Sequence, residues 1–329
     1  MFASSSVYAD DFSNGKRAYQ RGDYVKAIKI LEPLAIKGHA EGQYHLGLIY
    51  INGAESVDQD DEEAFKWFQK SAKQEHSLAQ VYLGSMYENG TGVIQDYGRA
   101  LKWYQLAANQ ENAEAMFLIG SIYNHGKGVA KNFKEAIHWY KLSANLEYAD
   151  AQFNLGFIYD SGKDIGQNYR EAVKWYRLSA EQGHEVAQNN LGLMYSNGYG
   201  VSQDYPEAMK WFRKSVGQGY ALAQNNLGLM HLNGFGGVSK NYKEAIKWFR
   251  KAAEQGDASA QYNLGNRYFA GQGVNKNFAD AHKWWNIASA NGHMQARVER
   301  DDIEKQMTSE EIAHSQDMSK VWLQIHEKN

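Results

Sequence analysis

The chain of 329 residues contains no cysteine and only two prolines, Pro33 and Pro206. The absence of cysteine excludes a disulfide framework, a thiolate zinc site and a cysteine nucleophile together. It leaves the redox compartment open, because cysteine-free proteins occur in both redox settings. Scarce proline beside 31 glycines is typical of a helical chain in which glycine marks the turns.

Strong charge and long apolar runs are also missing. The formal net charge is −3, so the sequence has no electrostatic footprint for nucleic acid or an anionic membrane. No apolar run approaches the roughly 20 residues that span a bilayer. The hydrophobic fraction of 43% is nevertheless ample for a packed core. We therefore predict a folded protein with no membrane span and no nucleic-acid partner.

One unit recurs about seven times along the chain, and each copy has a marker glycine and a marker tryptophan. The glycines are Gly47, Gly84, Gly120, Gly156, Gly192, Gly228 and Gly265. The tryptophans are Trp67, Trp103, Trp139, Trp175, Trp211, Trp248 and Trp284. Two copies carry one extra residue in a turn, where an insertion costs little. The fixed period predicts one stack of repeats rather than several independent domains.

Each unit contains two helix-like runs joined by a glycine-rich turn. On the first run, apolar residues such as Ala187, Leu191, Met194 and Tyr195 keep constant positions relative to the marker glycine. At about 100° per residue these positions form one stripe, which predicts the packing face. A glycine inside a helix costs about 1 kcal/mol relative to alanine. Its recurrence therefore predicts that the glycine admits a neighbouring helix at close range.

Capping signals mark the second run. Its start is an Asp or Asn followed three residues later by Glu in most copies, as in Asp204 and Glu207. Eight positions after the tryptophan, later copies have a glycine typical of a left-handed helix stop. These glycines are Gly183, Gly219, Gly256 and Gly292. Earlier copies have glutamate there, and we predict a continued or differently terminated helix at these positions. The glutamates are Glu75, Glu111 and Glu147.

The segments AQNNLGLMY, NGYGV and EAMKWF of residues 187–212 resemble Sel1-like repeats, which are related to tetratricopeptide repeats. The resemblance covers residues 38–292, about three quarters of the chain. It implies an all-α, right-handed superhelical solenoid of about seven repeats, with the first helices lining the concave side. Two helices with one apolar face each cannot bury it alone, so the repeats must stack.

Atypical segments flank the repeats. Residues 10–37 resemble a degenerate tetratricopeptide-like repeat, with Ile30 in the tryptophan position. Residues 293–329 are predicted to form capping helices, the last of them opened by a capping box of Thr308 and Glu311. Such ends keep the apolar stripe of the terminal repeats from water.

Residues 1–9 are predicted to be disordered or to be the remnant of an export signal. Val7, Tyr8 and Ala9 resemble the end of a signal-peptide cleavage site, although the charged and apolar regions that should precede it are missing. A mature protein beginning at Asp10 would be periplasmic or secreted in a bacterium. The alternative is a cytoplasmic protein that begins at Met1.

The sequence contains no motif that predicts catalysis. It has no His-Glu-x-x-His, no nucleophile elbow and no phosphate-binding lysine loop. His39, His76 and His184 recur at one repeat position, which favours an architectural role over a metal site. Cysteine-rich Sel1-like proteins of Helicobacter have been linked to penicillin binding or β-lactamase activity, but this chain lacks their cysteines. We predict a non-enzymatic protein without catalytic residue, metal or cofactor, with an enzyme for β-lactam or cell-wall substrates as the alternative.

A binding role is predicted for the face of the first helices that varies between copies. Positions three before, one after and four after the marker glycine lie opposite the packing stripe. Several hold apolar or aromatic residues, which predicts a binding groove, with inner lining buried between first helices as the alternative. The candidate partner-binding residues are Phe117, Phe153, Phe157, Asn189, Leu193, Asn225, Leu229, Tyr262 and Asn266.

Asparagines two positions before the glycine have two interpretations. Asn154, Asn190, Asn226 and Asn263 either hold the backbone of an extended peptide, as the resemblance to tetratricopeptide proteins implies, or bond between neighbouring units. The sequence leaves both open. Together these features predict a monomeric adaptor or scaffold that binds a protein or peptide on its concave face, in the bacterial envelope or in host contact. A cytoplasmic signalling adaptor is the further alternative.

Overall fold

The structure is a computed structural model that describes residues 3–162 and 165–326, with side chains from residue 11 onward. Apart from turns and a β-bridge between Ala54 and Val57, every regular element in these ranges is helical. The helices are α1 (Ala3–Gln20), α2 (Tyr24–Ile36), α3 (Ala40–Asn52), α4 (Asp61–Ala72), α5 (Ser77–Asn89), α6 (Tyr97–Ala108), α7 (Ala113–His125), α8 (Phe133–Asn145), α9 (Ala149–Ser161), α10 (Tyr169–Glu181), α11 (Glu185–Asn197), α12 (Tyr205–Gly217), α13 (Ala221–Asn233), α14 (Tyr242–Glu254), α15 (Ala258–Ala270), α16 (Phe278–Ala290), α17 (Met294–Ile303) and α18 (Ser309–His326), with a 3₁₀ turn at Glu304–Gln306.

The helices form two compact units, Met1–Leu155 and Gly156–Asn329. In the N-terminal unit, α1 packs on α2, α3 on α4, α5 on α6 and α7 on α8, and each pair packs on the next. In the C-terminal unit, α11 packs on α12, α13 on α14 and α15 on α16, while α17 and α18 both pack on α16. The predicted all-α solenoid of helix pairs is therefore confirmed.

The predicted flanking segments lie in helices α1, α2, α17 and α18. Helix α1 begins at Ala3, so it includes most of the segment predicted to be disordered, while Met1 and Phe2 lie outside the described residues. At the other end, the Glu311 carboxylate accepts from the Thr308 backbone N–H at 2.8 Å, and the Thr308 hydroxyl accepts from the Glu311 backbone N–H at 3.2 Å. The predicted capping box is confirmed.

The marker glycine of each first helix faces an aromatic ring of the second helix. A methyl group at Gly192 would lie 2.6 Å from the Phe212 ring, and one at Gly84 would lie 2.5 Å from the Tyr104 ring. Five further buried rings make the same contact, namely Phe68, Tyr140, Tyr176, Phe249 and Trp285. The predicted close approach is confirmed, and the neighbour is the ring one position after the marker tryptophan.

The packing stripe also lies where the periodicity predicts it. Ala187, Leu191 and Met194 are buried, and the equivalent residues of α13 are buried as well. Ser215 on α12 is fully buried, and its hydroxyl donates to the Glu185 carbonyl oxygen at the start of α11 over 2.8 Å. The bond satisfies a polar group that would otherwise be costly inside the core.

Each second helix is capped by a residue that also bonds to the first helix. The Asp204 carboxylate accepts from the Glu207 backbone N–H at 2.9 Å, and the Asp204 backbone N–H donates to the Tyr195 carbonyl oxygen at 2.9 Å. The same two bonds form at Asp60, Asp96, Asn132, Asn168, Asn241 and Asn277. One residue therefore fixes both the helix start, through its side chain, and the end of the turn before it, through its backbone N–H.

The second glycine of the Gly-x-Gly turn approaches the preceding repeat. Gly200 has φ 70°, and a methyl group there would lie 2.3 Å from the Tyr169 carbonyl oxygen at the start of α10. Tyr199 beside it stacks on Tyr169, with ring centroids 4.7 Å apart. The turn needs glycine both for its left-handed backbone and for this close contact. It serves packing between repeats.

The prediction for the glutamates that end the earlier second helices is wrong. Glu75, Glu111 and Glu147 adopt φ values of 63°, 59° and 63°, the same left-handed conformation as the glycines of later copies. At the equivalent Gly219, an added methyl group would have no atom within 4 Å, so a side chain there extends into open space. The backbone strain of about 1–2 kcal/mol is the main cost.

We predict that Gly192→Ala lowers the free energy of unfolding by about 1–3 kcal/mol, because the new methyl group overlaps the buried Phe212 ring. Urea unfolding followed by circular dichroism measures the change. Gly217→Ala in α12 is the control, since a methyl group there meets no atom within 4 Å. The control should stabilise by about 0.5–1 kcal/mol through helix propensity. A stabilising Gly192→Ala variant would contradict the contact.

Candidate binding surface on the first helices

The first-helix face comprises the positions three before, one after and four after each marker glycine. Phe157 is 54% exposed on α9 in the C-terminal unit. Leu193 and Leu229 are half-buried and pack against the core, and the same half-burial holds for the remaining apolar and aromatic candidates. Those candidates are Phe117, Phe153 and Tyr262. The face thus combines exposed apolar surface with residues that partly line the core.

Two predicted binding asparagines are buried and bond between repeats. Asn189 is 2% exposed, and its side-chain oxygen accepts from the Asn226 amide of the next repeat at 2.9 Å. Asn225 is 7% exposed and accepts from the Asn263 amide at 3.0 Å. Asn226 and Asn263 therefore link neighbouring first helices, as the second interpretation of the recurring asparagines stated. We do not carry Asn189 and Asn225 into the proposed binding surface.

Glutamine pairs form a second link between helices, which the sequence analysis missed. The buried Gln188 amide donates to the Ala180 carbonyl oxygen at 3.0 Å, and its oxygen accepts from the Gln218 amide at 2.9 Å. Equivalent pairs are Gln43–Gln74, Gln80–Gln110, Gln224–Gln255 and Gln261–Asn291. The third repeat has the apolar residues Met116 and Leu146 at these two positions, so no buried amide there lacks a partner. The recurrence of Gln four residues before the marker glycine is the sequence signal that could have predicted this link.

The recurring histidines are helix caps. The His76 Nδ1 accepts from the Ala79 backbone N–H at 3.2 Å, and His39, His184 and His293 cap their helices in the same way. Burial is the main cause that lowers the pKa of His76. The Tyr44 ring stacks on His76 with centroids 4.7 Å apart. The predicted architectural role is confirmed.

Polar ends of the buried rings reach the first-helix face beside the marker glycine. The Tyr104 hydroxyl donates to the Glu88 carboxylate at 2.9 Å, and the Tyr176 hydroxyl donates to the Asp160 carboxylate at 3.2 Å. Burial raises the pKa of Asp160, while the bond from Tyr176 opposes that rise. The predicted binding residue Asn266 similarly accepts from the Trp285 indole N–H at 3.1 Å. These groups give the face a polar strip.

Aromatic side chains pack on and around the first helices of the N-terminal unit. Tyr82 is 37% exposed, stacks on Phe68 at 4.9 Å and lies 5.8 Å from the Tyr44 ring. Phe117 lies 5.4 Å from the Tyr148 ring. Burial, with Asp150 and Glu114 adding to it, raises the pKa of Tyr148 to about 12. The cluster offers ring faces for packing a partner side chain.

One buried group has the composition of a catalytic triad. The His282 Nε2 lies 2.8 Å from the Glu304 carboxylate, and its Nδ1 lies 2.7 Å from the Ser315 hydroxyl. The Ser315 hydroxyl also donates to the Ile312 carbonyl oxygen at 2.9 Å. Because Ser315 and His282 are fully buried, no substrate reaches the hydroxyl. The group ties α18 to α16.

Within residues 3–162 and 165–326, no three His, Cys, Asp or Glu side chains come together as a metal site would require. No helix in the same residues is long and apolar enough to cross a membrane.

Comparison with known proteins identifies the family. The Sel1 repeat profile matches residues 40–76, 77–112, 113–148, 149–184, 186–220, 221–257 and 258–293. The chain therefore belongs to the Sel1 repeat family, whose repeats typically mediate protein–protein interaction.

Solved structures with the same repeats are similar to this chain. A protective antigen present in uropathogenic Escherichia coli strains is 34% identical, with a TM-score of 0.86 over 97% of this chain and 69% of the antigen chain. A Sel1 repeat protein from Oxalobacter formigenes is 30% identical, with a TM-score of 0.63 over 74% of this chain and 96% of its own.

A curated relative is similar over a shorter stretch. An ERAD-associated E3 ubiquitin-protein ligase component of Arabidopsis thaliana is 31% identical over 80 residues. The match covers 24% of this chain and 12% of the relative. Such a short match extends the likeness to a few repeats only.

We predict that the protein loses stability as the pH falls below about 6.5, the ordinary pKa of histidine. Because the pKa of His76 is lowered in the folded state, the unfolded state takes up the proton first, and the free energy of unfolding falls with pH. His76→Asn keeps a cap, as Asn112 does one repeat later.

Unfolding in urea at about pH 7.5 and about pH 5.5 measures the effect across the histidine range. His76→Asn should show a smaller loss between the two pH values than the parent protein. The other histidines are present in both proteins, so the comparison isolates the contribution of His76. An equal loss in the two proteins would contradict the assignment to His76.

Proposed function

We propose that the protein is a non-enzymatic adaptor or scaffold that binds a protein or peptide partner through its first-helix face. The observation that carries the proposal is Phe157, a large apolar side chain 54% exposed on a first helix of a family that typically mediates protein interaction. Exposed aromatic anchors contribute much of the energy of protein interfaces. The Arabidopsis relative is named as a component of a ligase, which also supports membership in an assembly.

The variable positions support this assignment better than the constant ones. Leu191 and Met194 are buried in the core of their repeat, so they are unavailable to a partner. Phe157 and Leu193 change from copy to copy, and only the exposed part of such residues can distinguish one partner from another. We propose that the protein acts as a monomer, with its repeats presenting this face to the partner.

We predict that Phe157→Ser weakens partner capture by about tenfold, because an aromatic anchor that becomes buried in the interface contributes at least about 1–2 kcal/mol to binding. Crosslinking and affinity capture from the source organism identifies the partner, and the purified partner then gives the dissociation constant. Leu178→Ser is the matched control, since Leu178 is 38% exposed on α10, the second helix of the same repeat.

Circular dichroism checks that both variants remain folded. The control should bind as the parent does. Undiminished binding by folded Phe157→Ser, or equal loss in the two variants, would overturn the assignment to the first-helix face.

We further propose that the protein is periplasmic or secreted in a bacterium and acts in the envelope or in host contact. Val7, Tyr8 and Ala9 support an export signal. The likeness to a protein described as a protective antigen supports the same setting. The N-terminal sequence of the protein isolated from native cells should begin at Asp10. A sequence that begins at Met1 would contradict the proposal.

A further inference from the structure

An arginine replaces an apolar core residue in the seventh repeat. The position two after the marker glycine belongs to the packing stripe, and in the other six repeats it holds a buried apolar residue. Those residues are Ile49, Met86, Ile122, Ile158, Met194 and Met230. In the seventh repeat the position holds Arg267 on α15, which is half-buried. A cation thus stands where the fold otherwise uses a side chain that needs no polar partner.

The guanidinium of Arg267 has little to compensate its charge. Its Nη1 atom donates to the neutral side-chain oxygen of Gln272, while its Nε atom is enclosed and has no hydrogen-bond partner in the structure. Among the side chains that the structure describes, no Asp or Glu forms an ion pair with Arg267. Desolvation lowers the pKa of Arg267, and the Tyr242 phenol opposes that change. A charge held partly out of water without a counter-ion costs stability, so a bound anion would offset that cost.

The guanidinium lies at the turn of the seventh repeat, beside the start of α14. A methyl group at Gly273 in this turn would lie 2.8 Å from the Cβ atom of Tyr242, the first residue of α14. Gln272, which accepts from the guanidinium, directly precedes Gly273. Arg267 is therefore held next to the first turn of α14. The N-terminal end of a helix carries partial positive charge, which favours an anion rather than a cation at this place.

Two lysines border the same turn. The Lys240 Nζ lies 5.0 Å from the centroid of the Tyr242 ring, and the Lys276 Nζ lies 4.7 Å from the centroid of the Phe278 ring at the start of α16. A methyl group at Gly271 in the turn would lie 3.2 Å from the Lys276 Cβ atom. As with Arg267, no carboxylate in the described part of the chain pairs with either lysine. The turn thus gathers three cations that have no ion-pair partner within the described residues.

We propose that Arg267 and the turn beside it bind a carboxylate side chain in an acidic segment of the partner protein. The guanidinium donates to the carboxylate through N–H groups that Gln272 leaves free, and Lys240 and Lys276 attract further acidic residues of the segment. Hydrogen bonds between an ionised donor and an ionised acceptor are among the stronger ones in proteins. The inference rests on the proposed adaptor function and adds a contact in the seventh repeat to that of Phe157 in the fourth.

The same charges disfavour other occupants. A basic segment would be repelled by the three cations. An apolar segment would cover the guanidinium and desolvate it further without supplying a counter-ion. A nucleic acid draws its affinity from many phosphate contacts along a wide basic surface, whereas this chain has a net charge of −3. Inorganic phosphate shares the anionic chemistry of a carboxylate, so the test includes it.

The test uses the full chain and a peptide of alternating glycine and glutamate, with glutamine and lysine versions as comparisons. Isothermal titration calorimetry at low salt and at about 0.15 M salt gives the dissociation constants. In the ¹⁵N-labelled protein, the Nε–H resonance of Arg267 reports binding at the site itself, and its absence from the spectrum of Arg267→Met assigns it. We expect the glutamate peptide to shift this resonance and to bind at least about fivefold more tightly than the glutamine peptide. The lysine peptide should not bind, and added salt should weaken binding.

Arg267→Met should weaken binding of the glutamate peptide by about five- to tenfold, because it removes the charge that pairs with the carboxylate. Thermal unfolding provides a separate readout, and this variant should melt above the parent temperature, because Met194 and Met230 are buried at the same position in α11 and α13. Arg213→Met is the matched control, since Arg213 is an exposed arginine on α12 and its loss changes the net charge equally. The control should bind the peptide as the parent does.

Unchanged affinity in Arg267→Met, or equal losses in Arg267→Met and Arg213→Met, would overturn this inference. So would an Arg267 resonance that inorganic phosphate shifts and the glutamate peptide does not, because the site would then serve a small anion. A lower melting temperature in Arg267→Met would contradict the uncompensated charge on which the site depends.

These failures are distinguishable from failure of the adaptor function. A captured partner whose binding is weakened by Phe157→Ser and unchanged by Arg267→Met would overturn the Arg267 site alone. A partner that depends on Arg267 and is indifferent to Phe157→Ser would overturn the assignment to the first-helix face and support the site at the turn.

Discussion

The contact between the marker glycine and a buried ring sets the distance between the two helices of every repeat. At Gly192 the Phe212 ring occupies the space where any other residue would place its Cβ atom. The ring passes beside the first helix, and in other repeats the far end of the equivalent buried ring contacts residues of the first-helix face. That position explains why the Tyr104 hydroxyl meets Glu88 there and why the Trp285 indole meets Asn266. One steric constraint thus determines the packing of the core and part of the chemistry of the surface.

Most of the fold could be predicted from the sequence because the same local signals recur in seven repeats. The cap at Asp204 and the stripe through Leu191 depend on neighbours within one repeat, and periodicity reports such neighbours directly. The helix stop at Glu111 could not be predicted in this way. Residue preference argues against a left-handed glutamate, whereas the structure gives its side chain open space and closes the helix with a bond from the Glu111 N–H to the Ala108 carbonyl oxygen at 3.0 Å.

The candidate surface was predictable in outline and not in detail. A helical wheel assigns Asn189 and Phe157 to the same face, yet the first is buried and the second is exposed. The difference arises from the adjacent repeat, whose Asn226 amide covers and binds Asn189. Contacts between repeats therefore decide which variable residues remain available to a partner.

The marker glycine leaves the space that the ring of the second helix fills, and a double-mutant cycle tests this contact most directly. The cycle compares the cost of Gly192→Ala in the parent protein with its cost in the Phe212→Leu background, using urea unfolding for all four proteins. A smaller side chain leaves room for the added methyl group, so the account predicts a coupling free energy of about 1 kcal/mol or more. Costs that add without coupling would show that the ring does not constrain the glycine and would contradict the account.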